Sequence, residues 1–264
     1  MAKKIAIIGG GNLGTAIAQG LIQSAFCDAA DITITKRNVA TLKGELPKTV
    51  HITSDNVQAV ASSEVIILAV KPYQIENVMK EIVPVLTKKH ILISVITGVT
   101  LDDLKNMASI ALPVFRAMPN TAIAIRESMT CISYENATDK QVQLVTKMFG
   151  TVGKVAVIDD KLMDAATVLG ACGTAFALRY VRANIQGGIE IGFDAKTASL
   201  IASQTVKGAA ELLLTHHSHP EQEIDKVTTP KGCTIVGLNE MEHRGFSSSL
   251  IRGIITSYKK IAKD

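Results

Sequence analysis

Tryptophan is absent from this 264-residue chain, and aromatic residues make up only 4% of it. A nucleic-acid-binding face combines clustered basic residues with interleaved aromatics. Here the net charge of +4 is scattered along the chain, so nucleic acid is not an expected partner. Long apolar runs are missing too. No stretch approaches the roughly 18–20 continuous apolar residues that cross a bilayer, and no membrane partner is expected. The opening "MAKKIAIIGGG" imitates the start of a secretion signal, but its apolar run ends at Ile8, which is too short for one. Cysteine is sparse and dispersed. Cys27, Cys131, Cys172 and Cys233 form no CxxC, which disfavours a zinc knuckle and a disulfide scaffold. The expectation is a reduced, cytoplasmic protein with no metal.

What is present is a globular composition, 47% hydrophobic against 20% charged, in a chain long enough for one large domain or two ordinary ones. The first half alternates short β-branched runs with amphipathic segments of helix length. "KKIAIIG", "DITITK", "VHIT", "EVIILAVKP" and "HILISVI" read as strands, with helices through "GTAIAQGLIQSA", "VATLKGEL", "DNVQAVA" and "PYQIENVMKEIVPVL". Parallel neighbours need such crossovers, so the spacing predicts a mostly parallel α/β sheet. Three further strands, "ALPVFRAMP", "MTCISY" and "GKVAVID", surround one helix near "DKQVQLVTKMFG". No strand signal remains beyond Lys161, and a domain cut is placed at 159/160. The helices that follow are rich in Ala, Gly, Ser and Thr, and the first is apolar almost all round. Such a surface has to be covered, and a partner subunit is the expected cover.

"GGGNLG" supplies Gly9, Gly11 and Gly14 as GxGxxG, directly after a strand and at the opening of a helix. In that setting the three glycines have separate tasks. Gly9 makes the tight turn, Gly11 lets a pyrophosphate approach the backbone, and Gly14 lets helix and strand pack. The free N–H groups of Asn12, Leu13 and Gly14 and the helix dipole hold the anion. About 20 residues further on, an NAD site carries an acid for the ribose hydroxyls. This chain reads "ITITKRN" there, so Lys36, Arg37 and Asn38, with Asn56 nearby, suit a 2′-phosphate. NADPH is the expected cofactor, with NADH possible and less favoured. Ligands of such sheets lie beyond the carboxyl ends of strands. "LAVKP" (Ala69, Val70, Lys71, Pro72) and "FRAMPNTA" (Met118, Pro119, Asn120) end two of them and would hold the nicotinamide amide and ribose.

The ordered set GxGxxG, AVKP, RxMPNT, QTxxGAAxLL and TPxGxTxxGLxxxE resembles pyrroline-5-carboxylate reductase over essentially the whole chain. The last motif is its most specific part. The resemblance implies an NADP-binding Rossmann domain over 1–159 and a helical dimerisation and substrate-binding domain over 160–264. The implied reaction is reduction of a five-membered cyclic imine bearing a carboxylate, bound where two subunits of a homodimer meet. A higher assembly, such as a decamer of dimers, stays open. In "TTPKGCTIVGLNEME", Pro230 suits a first helical turn and Thr229 its cap. The N–H groups around Gly232, Cys233 and Thr234 suit the substrate carboxylate. The resemblance implies that Thr234 hydrogen-bonds the imine nitrogen.

Some positions depart from the family pattern. "GACGTAF" (Gly170–Phe176) stands where SGSGPAY is usual, Lys231 replaces a glycine, Cys233 fills a small-residue position and Ala122 a frequent proline. "THHSHP" gathers His216, His217 and His219 without a carboxylate or cysteine at ligand spacing and reads as a solvated helix end. The rival hydroxyacid dehydrogenases of similar layout carry a catalytic lysine in the first long helix of the second domain. Between Lys161 and Lys196 this chain has only Arg179 and Arg182. A non-catalytic NADPH-binding protein is the alternative of a different class.

Overall fold

The computed structural model describes residues 3–42 and 44–262. Eight strands form one sheet in the order β3-β2-β1-β4-β5-β6-β7-β8. They are β1 Ile5–Ile8, β2 Ile32–Thr35, β3 His51–Thr53, β4 Val65–Leu68, β5 Ile91–Ser94, β6 Val114–Met118, β7 Ser128–Glu135 and β8 Gly153–Val157. Every neighbouring pair is parallel except β6–β7. Only a short 3₁₀ turn, Thr121–Ile125, links those two, so no crossover helix returns the chain to the other end of the sheet. The eight strands fall on the eight β-branched runs of the sequence.

The pattern IAII in β1 shows why the sheet is buried on both sides. Ile5 and Ile7 enter one apolar layer with Ile17, Leu21, Phe115 and Phe149. Ala6 and Ile8 enter the opposite layer with Val60, Leu68, Met79 and Leu104. Successive side chains of a strand alternate between faces, so an uninterrupted apolar run fits only a sheet covered twice. The covering helices include α1 Asn12–Gln23, α2 Asn56–Ala61, α3 Ile75–Ile82, α4 Leu101–Ala108 and α5 Asp139–Gly150. After β1 the chain moves outward through β2 and β3, then returns to place β4 on the other side of β1. That reversal opens a crevice between the carboxyl ends of β1 and β4.

Two local expectations are corrected. The segment "VATLKGEL" forms a 3₁₀ turn, Val39–Leu42, rather than a helix, with Lys43 outside the described residues. The eight-residue α4 was not anticipated between "HILISVI" and "ALPVFRAMP". Its signal is the pair Thr100 and Asp103: the Asp103 N–H donates to Thr100 Oγ1 at 3.0 Å and the Thr100 N–H to Asp103 Oδ2 at 2.9 Å. That reciprocal cap offsets a short apolar stripe.

His90, on the turn before β5, is buried and accepts a hydrogen bond from the Thr87 N–H at Nδ1. Burial lowers its pKa from the ordinary 6.5, against a backbone hydrogen bond to Ser63 that raises it. The unfolded chain therefore takes up this proton at a higher pH than the folded chain. The stability due to neutral His90 is complete above pH 6.5 and is lost progressively as pH falls below it. Urea melts should show stability declining over that interval by up to about 1.4 kcal/mol per pH unit from this group. His90→Gln should flatten the slope; an unchanged slope would remove His90 as its source.

One continuous helix begins at Asp160 and runs to Glu190. It comprises a 3₁₀ turn, α6 Met163–Ala166, a π-helical stretch Thr167–Cys172, and α7 Gly173–Glu190. Its start is tied to the sheet. The buried Arg116 of β6 pairs with Asp160 at 2.9 Å, Ser133 Oγ donates to the same carboxylate at 2.6 Å, and Met163, Thr167 and Val168 are buried. Two compact units accordingly divide inside this helix, the first ending at Cys172 and the second beginning at Gly173. The sequence-based cut stands at the helix start instead.

The second unit adds α8 Ala195–His216, α9 Pro220–Lys226, α10 Cys233–His243 and α11 Phe246–Ala262. Among its described residues only Ala198 and Ala202 are buried. Leu178, Ile191, Leu200, Leu214 and Ile251 are exposed. Helices with so little core of their own need a covering surface. Asp160–Glu190 is also long and apolar enough, by length and composition, to cross a membrane. The three histidines of "THHSHP" lie where α8 gives way to α9, His216 being the last residue of α8. His217 caps α8 at φ 53°, and His219 opens α9, its Nδ1 accepting from the Glu221 N–H.

Candidate active site

The crevice beyond β1 and β4 is a cleft of about 800 Å³. Its floor is the glycine turn, where each glycine meets a different constraint. Gly9 has φ +116°, and a Cβ there would stand 2.6 Å from the Ala69 carbonyl oxygen. A Cβ on Gly14 would overlap the Gly9 carbonyl oxygen. A Cβ on Gly11 would meet nothing within 4 Å, so the space above its backbone belongs to the cleft. Gly11 caps α1 without any side-chain hydrogen bond, and no acid stands in the first turn. The N–H groups of Asn12, Leu13 and Gly14 thus lack intrahelical partners at the positive end of the helix dipole. The residues present fit a pyrophosphate.

Lys36 and Arg37 leave β2 at one end of this cleft and line it. The Lys36 N–H donates to the Thr53 carbonyl oxygen at 3.0 Å, which brings the end of β3 and Asn56 alongside. Asn56 lines the cleft, its Nδ2 donating to Glu81 Oε2 at 2.8 Å. Asn38 is exposed and lies outside the lining. Glu81, Ser54, Gln74, Asn77 and Thr97 line the cleft without having been singled out in the sequence. Glu81 meets Asn56 across 25 residues of sequence, a separation that no local motif marks.

Ala69, Val70, Lys71 and Pro72, beyond β4, line the cleft as a group. The turn after β6 behaves differently. Met118 is buried in the sheet, and neither it nor Pro119 or Asn120 lines the cleft; the next residue, Thr121, does. The Asn120 side chain is engaged at both ends. Its Oδ1 accepts from the Ala122 N–H at 3.0 Å and its Nδ2 donates to the Gly170 carbonyl oxygen at 3.2 Å. The second bond supports the π-helical stretch, whose wider turn leaves carbonyl oxygens out of the regular ladder.

At the far motif, two expectations are corrected. Pro230 and Thr229 do not open a helix. Thr229–Gly232 is a turn, the Gly232 N–H donating to the Thr229 carbonyl oxygen at 2.9 Å, and Lys231 has φ +61°. Proline followed by a positive φ is the pattern of a type II turn, and left-handed Lys231 cannot continue a helix. The helix starts at Cys233 with Gly232 as its cap, unaided by any side chain. The Gly232 N–H is therefore spent, and those of Cys233, Thr234 and Ile235 are the ones without intrahelical partners. A Cβ on Gly232 would stand 2.5 Å from Thr229 Oγ1, which explains the glycine. Thr234 is half-buried and lies inside the first turn, so its hydroxyl is not the cap.

Comparison with known proteins identifies the family. The family described as pyrroline-5-carboxylate reductase dimerisation matches residues 160–264. NADP oxidoreductase, coenzyme F420-dependent, matches residues 4–98. Pyrroline-5-carboxylate reductase 2 of Dictyostelium discoideum is 42% identical over 99% of this chain and 93% of its own length. The chain belongs to the pyrroline-5-carboxylate reductase family. It is 44% identical over 98% of its length to pyrroline-5-carboxylate reductase 1 of the same organism, and spans about half (49%) of that relative. Its fold matches the crystal structure of Plasmodium falciparum pyrroline carboxylate reductase with NADP bound, at a TM-score of 0.89 and 24% identity, covering 98% of this chain and 96% of that one.

Membership in the reductase family gives the departures a physical reading. Lys231 occupies a glycine position of the family pattern and retains the left-handed backbone that glycine favours, at a cost of about 1–2 kcal/mol. The segment Gly170–Phe176 lacks the usual proline, and the π-helical stretch ending at Cys172 changes the helix register there instead. The dimerisation match covers the helices whose apolar surface the second unit leaves bare.

Proposed function

We propose that this chain reduces 1-pyrroline-5-carboxylate to L-proline, the last step of proline biosynthesis, with NADPH preferred over NADH. The observation that carries the reading is the start of α10, where Gly232 caps the helix without any side-chain hydrogen bond and no acid stands in the first turn, which supports an anion there. The N–H groups of Cys233 and Thr234, with Ile235, hold the substrate carboxylate, and the helix dipole adds to their attraction. Thr234 directs its hydroxyl to the imine nitrogen. NADPH supplies the hydride that adds to the imine carbon, and a proton on nitrogen completes the amine. A threonine hydroxyl is too weak an acid to be the proton store, so water or an already protonated iminium supplies it. The residues therefore act by position and hydrogen bonding, without an acid–base pair.

The match to a dimerisation family supports a homodimer, and a decamer of dimers extends that proposal. Four free thiols, with Cys27 pushed up to about 11 by burial and by Asp31 and Asp28, fit a reducing cytoplasm. The test is NADPH oxidation with pyrroline-5-carboxylate, its six-membered homologue and a β-ketoacid. The five-membered imine should turn over fastest. Turnover of the ketoacid alone would transfer the chain to alcohol chemistry, and no turnover of any would favour a non-catalytic role.

A further inference from the structure

The cleft is lined by three cations, Lys36, Arg37 and Lys71, and by a single carboxylate, Glu81, among the described residues. Glu81 comes from the last turn of α3, far in sequence from the end of β2, where an acid would select NADH. Its Oε2 accepts from Asn56 Nδ2 at 2.8 Å, and no cation of the described residues forms an ion pair with it. A carboxylate accepts only, so the bond fixes which end of the Asn56 amide meets Glu81 and leaves Oδ1 as the remaining acceptor. Asn56 stands beside the end of β2, where the ligand's ribose or 2′-phosphate is read.

We propose that Glu81 is a specificity-determining residue: it orients Asn56 and, as the one anion in a cation-rich cleft, holds NADPH preference below the level that Lys36 and Arg37 alone would set. The inference rests on the reading that this cleft holds NADP(H). Its physical basis is that a 2′-phosphate carries nearly two negative charges and a 2′-hydroxyl none. A nearby carboxylate therefore penalises NADPH selectively, while its hydrogen bond to Asn56 serves both cofactors.

The two roles separate by mutation. Glu81→Gln keeps an oxygen for Asn56 and removes the charge, whereas Glu81→Ala removes both. Fluorescence titration of NADPH and NADH, without imino acid, reads binding independently of turnover. Glu81→Gln should shift the ratio of dissociation constants toward NADPH by roughly 3- to 10-fold, and the shift should shrink on raising salt from about 50 to about 500 mM. Glu81→Ala should show the same shift together with weaker binding of both cofactors. A Glu81→Gln ratio within about twofold of wild type, at low salt, overturns the inference while leaving NADPH binding intact. Failure of the wild-type chain to bind either cofactor overturns the reading of the cleft as well.

Discussion

Thr234→Ala should retain NADPH binding and lower kcat by roughly ten- to hundredfold, a barrier increase of about 1.4–2.8 kcal/mol. The reasoning starts from where the residue lies. A threonine near a helix start usually serves as its cap, and removing a cap destabilises the fold rather than the reaction. Here Gly232 is the cap, and Thr234 lies within the first turn of α10. Its hydroxyl is thus not committed to capping, and in the proposed reaction it meets the imine nitrogen, whose charge changes as hydride arrives. A hydrogen bond that strengthens in that step lowers kcat when lost, whereas one made equally to bound substrate raises KM alone. Thr234→Ser keeps the hydroxyl and should recover most of the loss. Wild-type turnover in the alanine variant would remove Thr234 from the mechanism.

Lys36→Glu combined with Arg37→Ser should weaken NADPH by at least about a hundredfold and NADH far less. Two charge-assisted interactions with the 2′-phosphate disappear, each contributing roughly 1.5–3 kcal/mol, and a repelling carboxylate is added. Lys36 and Arg37 line the cleft, and no described carboxylate forms an ion pair with either, so the substitution breaks no structural bridge. NADH presents a hydroxyl there, which the new glutamate accepts from. Equal losses for the two cofactors, read by titration of binding, would place the 2′-phosphate elsewhere.

The sheet was legible because its signal is local. A strand buried on both faces shows as an unbroken β-branched run, and all eight runs became strands. The glycine turn was legible for the same reason: φ and close approach at Gly9 and Gly14 are properties of a few neighbouring residues. The helix α4 was missed because its eight residues give too short an apolar stripe, Leu101, Leu104 and Ala108, to show a helical period, and its start is marked by the Thr100–Asp103 cap. At "TTPKGCT" the sequence alone misplaced the helix start by three residues, since proline suits both a helix's first turn and a turn's second position. Lys231 at φ +61° decides between them. Contacts between distant segments, such as Asn120 with Gly170 and Asn56 with Glu81, carry no sequence mark at all. They exist because strand order brings the ends of separate crossovers together.

The most direct measurement is a crystal structure of the chain with NADP and a proline-like ligand that carries a carboxylate. The account places the ligand's carboxylate oxygens about 2.7–3.2 Å from the N–H groups of Cys233 and Thr234, with its ring nitrogen within hydrogen-bond reach of Thr234 Oγ1. A ligand carboxylate held by an arginine or lysine side chain, away from the start of α10, would contradict it.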